Sequence, residues 1–458
     1  MAKTDTIAAI GTAMSNSGIG IIRISGDESF SIIDRIFKKK NGTRMNPEQT
    51  HKVHYGYIFD GDQMVDEVLV LVMKGPHSYT AEDTVEIDCH GGILMMKKIL
   101  ETVIKYGARL ADPGEFTKRA FLNGRIDLSQ AEAVMDVINA KNDYALKSSV
   151  NQLNGGISKR IRALREKILY EIAFIESALD DPEHISLDGY KLQLKEKMNP
   201  MLEELEALIA SSDNGKVMTE GIRTVIMGKP NVGKSSLLNL LVGEERAIVT
   251  EIAGTTRDTL EEHIFLHGIS LHVVDTAGIR NTDDVVEQIG VSRAKDAAKE
   301  ADLIIYVVDG SVPLDENDRE IIQIVRERKA VVLLNKSDLG QIVEKEQLEK
   351  LTGHPVISVS AKEETGMEEL EKEILSMFYA GTIDFNDQVY VTNVRHKTAL
   401  MESLESLKLV DKAIEDEVPE DFYSIDFMNA YEQLGSIIGE AVEDDLVNEI
   451  FSKFCMGK

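Results

Sequence analysis

Cysteine is nearly missing from this chain: Cys89 and Cys455 are the two present in 458 residues. Two thiols cannot build a disulfide framework, so a reducing, cytoplasmic setting is expected. Long hydrophobic runs are missing as well. No apolar stretch approaches the roughly 18 residues that a membrane span needs, so no membrane partner is expected. The opening Met1-Ala-Lys-Thr-Asp-Thr-Ile7 lacks the basic-then-apolar layout of a secretion signal. Cys455, near the end, imitates a prenylation box, but Gly457 and Lys458 are wrong for that chemistry. Positive charge is also scarce: 51 Lys and Arg face 79 Asp and Glu, a net charge of −28. Nucleic-acid binding normally shows a basic face. Any RNA contact must then be local, transient or delegated to a partner, and a solubilising surface accounts for most of the acid.

What is present suits a globular protein of about three domains, with 43% apolar residues to fill their cores. The first ~120 residues read as an α+β unit. Thr6–Ile10, Gly18–Ser25, His51–Phe59, Val68–Met73 and Thr84–Asp88 are β-branched or alternating runs, and Glu28–Phe37 and Met95–Tyr106 have helical spacing. In Thr84–Asp88 the apolar side chains face one way and Glu86 and Asp88 the other, either lining a pocket or meeting solvent. From about Asp127 the texture turns helical. Ser129-x-x-Glu132 fits a capping box, Gly155-Gly156 predicts a break, and helices follow over Ile157–Leu179 and Leu192–Ser211. Ser211–Lys216 reads as a polar linker. After an α/β stretch ending near Tyr379, helices return over His396–Ile414 and Met428–Phe454. Helices on both sides of an α/β insert suggest one helical domain split by it.

The stretch around which the chain is organised is Thr224-Val-Ile-Met-Gly-Lys-Pro-Asn-Val-Gly-Lys-Ser-Ser236. An apolar strand ends at Gly228, and Gly233, Lys234 and Ser235 complete a phosphate-binding loop. Glycines let backbone N–H groups turn to a phosphate; Lys234 supplies a point charge and Ser235 a hydroxyl for Mg²⁺. The helix opening at Ser236 points its dipole at the same anion. Asn231 and Val232 lie within the loop, and the Asn231 amide oxygen can hold a monovalent cation beside the phosphates.

Four further signals follow in the order a GTPase needs. Thr250, Glu251, Ile252, Ala253, Gly254, Thr255 and Thr256 form a loop whose threonines can close onto Mg²⁺ and the γ-phosphate. Asp275, Thr276, Ala277 and Gly278 follow a strand, with Asp275 reaching Mg²⁺ through water and the Gly278 N–H sensing the γ-phosphate. A third strand delivers Asn335, Lys336, Ser337 and Asp338; the Asp338 carboxylate accepts two N–H bonds from guanine, which adenine cannot supply. Ser358, Val359, Ser360 and Ala361 can buttress the base with backbone amides. Together these define a guanine-nucleotide domain. Where many small GTPases place a water-orienting glutamine, this chain has Ile279. Glu287 is the nearest polar candidate in sequence, with an ordinary helix-start acid as the alternative.

Three further segments carry a family resemblance: Gly18-Ile-Gly-Ile-Ile-Arg-Ile-Ser-Gly26, the run from Pro113-Gly-Glu-Phe-Thr-Lys-Arg119 to Ala133, and Phe454-Cys-Met-Gly-Lys458. With the nucleotide motifs, they make the whole chain resemble the MnmE (TrmE) family of tRNA-modification GTPases. The resemblance implies an N-terminal folate-binding and dimerisation domain (1–120), a helical domain in two parts (121–216 and 383–458), and an inserted Ras-like P-loop GTPase domain (217–382). It implies joint work with the flavoprotein MnmG (GidA), in a heterotetramer or larger complex, on carbon 5 of the tRNA wobble uridine. A carboxymethylaminomethyl-type group would be built with a one-carbon unit from 5-formyltetrahydrofolate or a related tetrahydrofolate. By position, Arg23, Glu86, Arg125 and Lys458 would contact folate; some members carry lysine in place of Arg125, which keeps the charge but not the forked geometry. Cys455 has been considered a catalytic thiol. Ser235 and Thr256 would hold Mg²⁺, and Asn231, Thr250, Ile252 and Thr255 would hold K⁺ in place of an arginine finger. Glu287 would position water, and the G domains of a homodimer would meet during hydrolysis. The alternative is a GTP-driven switch that docks on ribosomal particles or RNA without modification chemistry; it has no use for the folate-type residues or Cys455.

Overall fold

The computed structural model describes residues 5–41, 50–243, 262–266, 269–273, 298–378, 391–440, 444–452, 454 and 457. It divides into two compact units, Met1–Ile138 with Asn151–Met198 and Glu402–Lys458, and Asn139–Val150 with Asn199–Met401.

The first unit holds strands β1 (Ile7–Ile10), β2 (Ile19–Ser25), β3 (Phe37–Lys39), β4 (Lys52–Asp60), β5 (Gln63–Met73), β6 (Thr84–His90) and β7 (Arg109–Leu110). They form one sheet in the order β3-β4-β5-β6-β2-β1-β7, antiparallel except where β1 meets β7. Alternation decides its faces. Ile22, Ile24, Val68, Val70, Val72, Val85 and Ile87 point to one side, where α1 (Ser29–Ile36) and α2 (Ile93–Lys105) close the core with Ile32, Ile36, Met96 and Ile99. On the other side the register sets Arg23 against Glu86, and Glu86 against Leu71. The strand reading holds, with β5 beginning five residues before the alternating run alone suggested.

Helix α3 (Glu115–Leu122) starts from Gly114, whose φ of +69° favours glycine. Helix α4 (Leu128–Asn139) opens with a reciprocal cap at Asp127 and Gln130: the Gln130 N–H donates to Asp127 Oδ1, and the Asp127 N–H to Gln130 Oε1, both at 3.0 Å. The expected Ser129 box is therefore displaced, because the Ser129 hydroxyl donates to Asp127 Oδ1 at 2.8 Å. The tract breaks between α4 and α5 (Asp143–Leu153) and again at Gly155, φ +81°, before α6 (Gly156–Asp180). Helix α7 (Tyr190–Glu220) runs nine residues past its expected end at Ser211, so the segment expected as a linker is helical. Serine, aspartate and asparagine there follow helix-forming neighbours, and helix continuation wins over their turn preference.

The second unit holds β8 (Ile222–Met227), β9 (Glu262–Leu266), β10 (Ile269–Val273), β11 (Leu303–Asp309), β12 (Ala330–Asn335) and β13 (Val356–Ser358). Their order is β13-β12-β11-β8-β10-β9, parallel except for the β9–β10 pair. β11 and β12 are buried at every position, as a parallel sheet covered on both faces requires. Helices α8 (Lys234–Gly243), α9 (Glu316–Arg326), α10 (Lys345–Thr352) and α11 (Met367–Phe378) belong to this unit. Leu237 and Leu241 fill one layer with Leu370 and Ile374, and Ile322 and Val325 the other with Leu348.

The remaining helices are α12 (Val394–Glu415), α13 (Tyr423–Ile438) and α14 (Asp444–Ser452). The single helix expected over Met428–Phe454 is two, because Gly439 adopts φ +86° and ends α13. Across the insertion, α13 packs with α6: the Arg165 guanidinium lies 3.9 Å from the Tyr431 ring centroid, donates to Tyr431 O and pairs with Glu440. Among the described residues, no helix is long and apolar enough to cross a membrane.

Candidate functional site

The phosphate loop turns between β8 and α8. Gly228 takes φ +152°, and a Cβ there would stand 2.4 Å from Val307 O, so only glycine lets the strand leave the sheet here. Asn231 (φ +62°) and Gly233 (φ +100°) both occupy left-handed backbone, the kind of conformation from which anion-binding nests of backbone N–H groups are built. Lys234 opens α8 and donates to Gly228 O at 2.7 Å and Lys229 O at 2.6 Å, so its ammonium spans the mouth of the loop. Ser235 and Ser236 follow in the helix's first turn, and Val232 is buried.

The base-recognition strands are tied to that loop. Asn335 is 3% exposed at the end of β12; its Nδ2 donates to Val232 O at 2.7 Å and its Oδ1 accepts from the Ala361 N–H at 3.1 Å. The Ser337 N–H donates to Val359 O at 3.1 Å, and the Ser360 hydroxyl donates to Asp338 Oδ1 at 2.8 Å. Lys336 Nζ pairs with Asp309 at 2.6 Å. Burial opposes ionisation of Asp309, but hydrogen bonds from Lys336 and Ser311 outweigh it and hold its carboxyl below the usual range. The half-buried Asp338 keeps one carboxylate oxygen for a donor edge such as guanine N1–H and N2–H. Val232, Asn335, Ser337, Asp338, Val359, Ser360 and Ala361 are thus joined by hydrogen bonds, and Asn231, Gly233, Lys234, Ser235, Ser236, Lys336 and Ser358 adjoin them along the chain. Thr250, Glu251, Ile252, Ala253, Gly254, Thr255, Thr256, Asp275, Thr276, Ala277, Gly278 and Glu287 lie outside the described residues, as do Cys455 and Lys458.

A second site is built in the first unit, on the face of the sheet away from α1 and α2. Arg23 Nε donates to Glu86 Oε1 at 2.7 Å across the β2–β6 pair, with both side chains under one-fifth exposed. Arg23 Nη1 also donates to Gly457 O at 3.2 Å. Gly457 has φ +92°, and a Cβ on it would stand 2.3 Å from Ile10 O, so the chain's end reaches β1 only as glycine. Phe451 and Phe454 seat that end against Ala120, Leu128 and Ala131. Two guanidinium groups lie over the Tyr79 ring, Arg23 at 4.9 Å and Arg125 at 4.7 Å from its centroid. Its hydroxyl meets the Thr117 hydroxyl at 2.9 Å. Arg23, Glu86 and Arg125, chosen from the sequence, therefore come together. Tyr79 was missed, since a single tyrosine between Ser78 and Thr80 carries no periodic signal.

Behind this face, Arg119 donates to Glu82 Oε2 at 3.1 Å, Glu115 Oε1 at 2.9 Å and Asp5 Oδ1 at 2.8 Å. Burial opposes ionisation of Glu115, but Arg109, the Asp112 N–H and Arg119 together hold its carboxyl below the usual range. Burial and the neighbouring Glu86 push the Asp88 carboxyl up.

Comparison with known proteins gives the family. A family model described as the MnmE helical domain matches residues 128–455, and one described as the GTP-binding protein TrmE N-terminus matches residues 6–125. The tRNA modification GTPase MnmE of Lachnoclostridium phytofermentans is 58% identical over 457 residues, covering 100% of each chain. The chain belongs to the MnmE family of tRNA-modification GTPases. The Bacillus subtilis MnmE is 46% identical, covering 99% of this chain and 100% of that one. MnmE relatives thus span the N-terminal, helical and nucleotide-binding segments together. Among solved structures, a point variant of Aquifex aeolicus Era bound to GDP and aluminium fluoride is 27% identical, covering 41% of this chain and 67% of that chain, with a TM-score of 0.27. The G domain of the T. maritima FeoB iron transporter is 25% identical, covering 34% of this chain and 98% of that chain, also at a TM-score of 0.27. At that score neither carries weight beside the loop geometry itself.

Proposed function

We propose that this chain hydrolyses GTP in the course of modifying carbon 5 of the tRNA wobble uridine, with a tetrahydrofolate as one-carbon donor and the flavoprotein MnmG as partner. The observation that carries this reading is Arg23, which joins Glu86 of β6 to Gly457 of the C-terminal motif over the Tyr79 ring. A flat, anionic ligand suits such a place: guanidinium planes for stacking, guanidinium N–H donors for carboxylates, and a carboxylate acceptor for ring N–H donors. Tetrahydrofolate has all three complements and would supply a one-carbon unit when bound. Arg23, Glu86 and Arg125 would hold it, and Lys458 would add a cation. Cys455 would serve as a thiol nucleophile.

At the nucleotide cleft, the loop's backbone N–H groups and Lys234 would bind the phosphates, and Asp338 would read guanine. Ser235, at the start of α8, fits a Mg²⁺ ligand with Thr256. Asn231, exposed on its left-handed backbone, fits a K⁺ ligand with Thr250, Ile252 and Thr255. That cation would supply the transition-state charge an arginine finger supplies elsewhere, and Glu287 would position water, replacing the glutamine whose place Ile279 takes. Two copies of the chain would meet through their N-terminal domains and, during hydrolysis, through their G domains, in a cytoplasmic complex with MnmG and tRNA.

Titration calorimetry of the full chain with 5-formyltetrahydrofolate tests the site. Saturable binding that Arg23→Met abolishes is expected; binding unaffected by Arg23→Met and by Arg125→Met would refute the assignment. GTP turnover in K⁺ against Na⁺ at equal ionic strength tests the cation, with a large loss in Na⁺ and in Asn231→Ala expected.

A further inference from the structure

At one edge of the first unit's sheet the −28 balance is locally reversed. β3 is an outer strand of that sheet, and β3 with the residue after it is Phe37-Lys-Lys-Lys40. Its neighbour β4 begins at Lys52, followed by Val53, His54 and Tyr55. Between these two strands opens a pocket of about 310 Å³ lined by Lys39, Lys40, Asn41, Val53, His54 and Tyr55. Among the described residues no carboxylate forms an ion pair with Lys38, Lys39, Lys40 or Lys52. Two of these ammonium groups lie over aromatic faces of β4, Lys40 Nζ at 5.3 Å from the Tyr55 centroid and Lys38 Nζ at 4.2 Å from the Phe59 centroid.

We propose that this pocket is an RNA contact, in which Lys39, Lys40 and Lys52 neutralise backbone phosphates and the exposed Tyr55 ring offers a surface on which an unpaired base stacks. RNA is favoured over a bare anion because the cations run along a strand edge and carry an aromatic face, the pairing that tracks a sugar–phosphate chain with unstacked bases. The contact rests on the tRNA-modification reading, and it locates on this chain a local basic surface that the acidic balance otherwise denies.

Fluorescence anisotropy of 5′-labelled total tRNA with the full chain, over a salt series, tests it. The triple variant Lys39→Gln/Lys40→Gln/Lys52→Gln is expected to bind at least about tenfold more weakly at 0.1 M salt. Its log K against log salt should flatten by about 2–3, one unit for each phosphate no longer neutralised. Tyr55→Ala should weaken binding without changing that slope, since it removes a stacking face and no charge. GTP turnover without tRNA should be unchanged in every variant, since none of these residues belongs to the phosphate loop. Wild-type and triple variant binding tRNA with one slope and one affinity would overturn the proposal while leaving the tRNA reading in place. No tRNA binding by the wild type, alone or with MnmG, would overturn both. Loss of binding to phosphatidylglycerol vesicles with tRNA binding intact would assign the pocket to lipid and also overturn it.

Discussion

Asn335→Ala tests how the nucleotide cleft is held together. The Asn335 amide joins two loops that nothing in the strand order forces to meet. It donates to Val232 O in the phosphate loop at 2.7 Å and accepts from the Ala361 N–H of the base-side loop at 3.1 Å, at 3% exposure. Alanine removes both hydrogen bonds and strands one carbonyl and one N–H. Each stranded group costs about 1–3 kcal/mol, so the second unit should lose about 2–4 kcal/mol once water entering from the cleft offsets part of it. Asn335→Asp keeps the acceptor for Ala361 but sets a carboxylate oxygen against Val232 O, and should be no better than alanine at neutral pH. The assay is urea denaturation without nucleotide, followed by binding of a fluorescent GDP analogue. Because both loops are released, GDP affinity should fall at least about tenfold, which corresponds to 1.4 kcal/mol. An Asn335→Ala protein with unchanged midpoint and unchanged GDP affinity would refute the strut.

Asp338→Asn exchanges an acceptor for a donor, so GTP affinity should fall about 10²–10⁴-fold, from two charge-assisted hydrogen bonds of about 1.5–3 kcal/mol each, while xanthosine triphosphate is gained; competition binding measures both. Arg119→Met removes the guanidinium shared by Glu82 and Glu115, while Glu115 keeps Arg109 and the Asp112 N–H and Glu82 keeps the Ser25 hydroxyl, so the first unit should lose about 1.5–3 kcal/mol at neutral pH in thermal denaturation. Glu115 is held below its ordinary value of 4.5 in the folded chain, so its contribution is present above about that pH and lost as pH falls through the folded value. Wild-type stability should therefore drop on the acid side of 4.5, and the variant's should drop less. Cys89 is 4% exposed and burial pushes its thiol up to about 11, so iodoacetamide at about pH 8 should leave it unlabelled until the protein is unfolded, as peptide mass mapping will show.

Much of this was legible in the sequence because local chemistry and tertiary structure agree there. Gly228, Gly233 and Lys234 announce their loop through backbone requirements that hold in any fold, and β11 and β12 announce burial through unbroken apolar runs. The Arg23–Glu86 pair was half legible: alternation along β6 put Glu86 on a polar face, but the β2–β6 register that gives it a partner is a non-local fact. What was not legible depends on contacts between distant segments. Tyr79 matters because Arg23 and Arg125 lie over it, and the tail matters because Phe451 and Phe454 seat Gly457 at β1. The helical boundaries erred where weak preferences compete. At Ser211–Lys216 helix continuation overrode polar turn formers, and at Gly439 one left-handed residue ended a run that its apolar spacing would have prolonged.

The most direct measurement is nucleoside mass spectrometry of tRNA from cells that lack the endogenous protein and carry this chain, its Arg23→Met variant or its Asp338→Asn variant. The proposal predicts wobble uridine bearing the carbon 5 substituent with the wild type, and its loss with either variant even though each is present and folded. Full modification with both folded variants would contradict the claim that the guanine-nucleotide cleft and the Arg23 site serve one reaction.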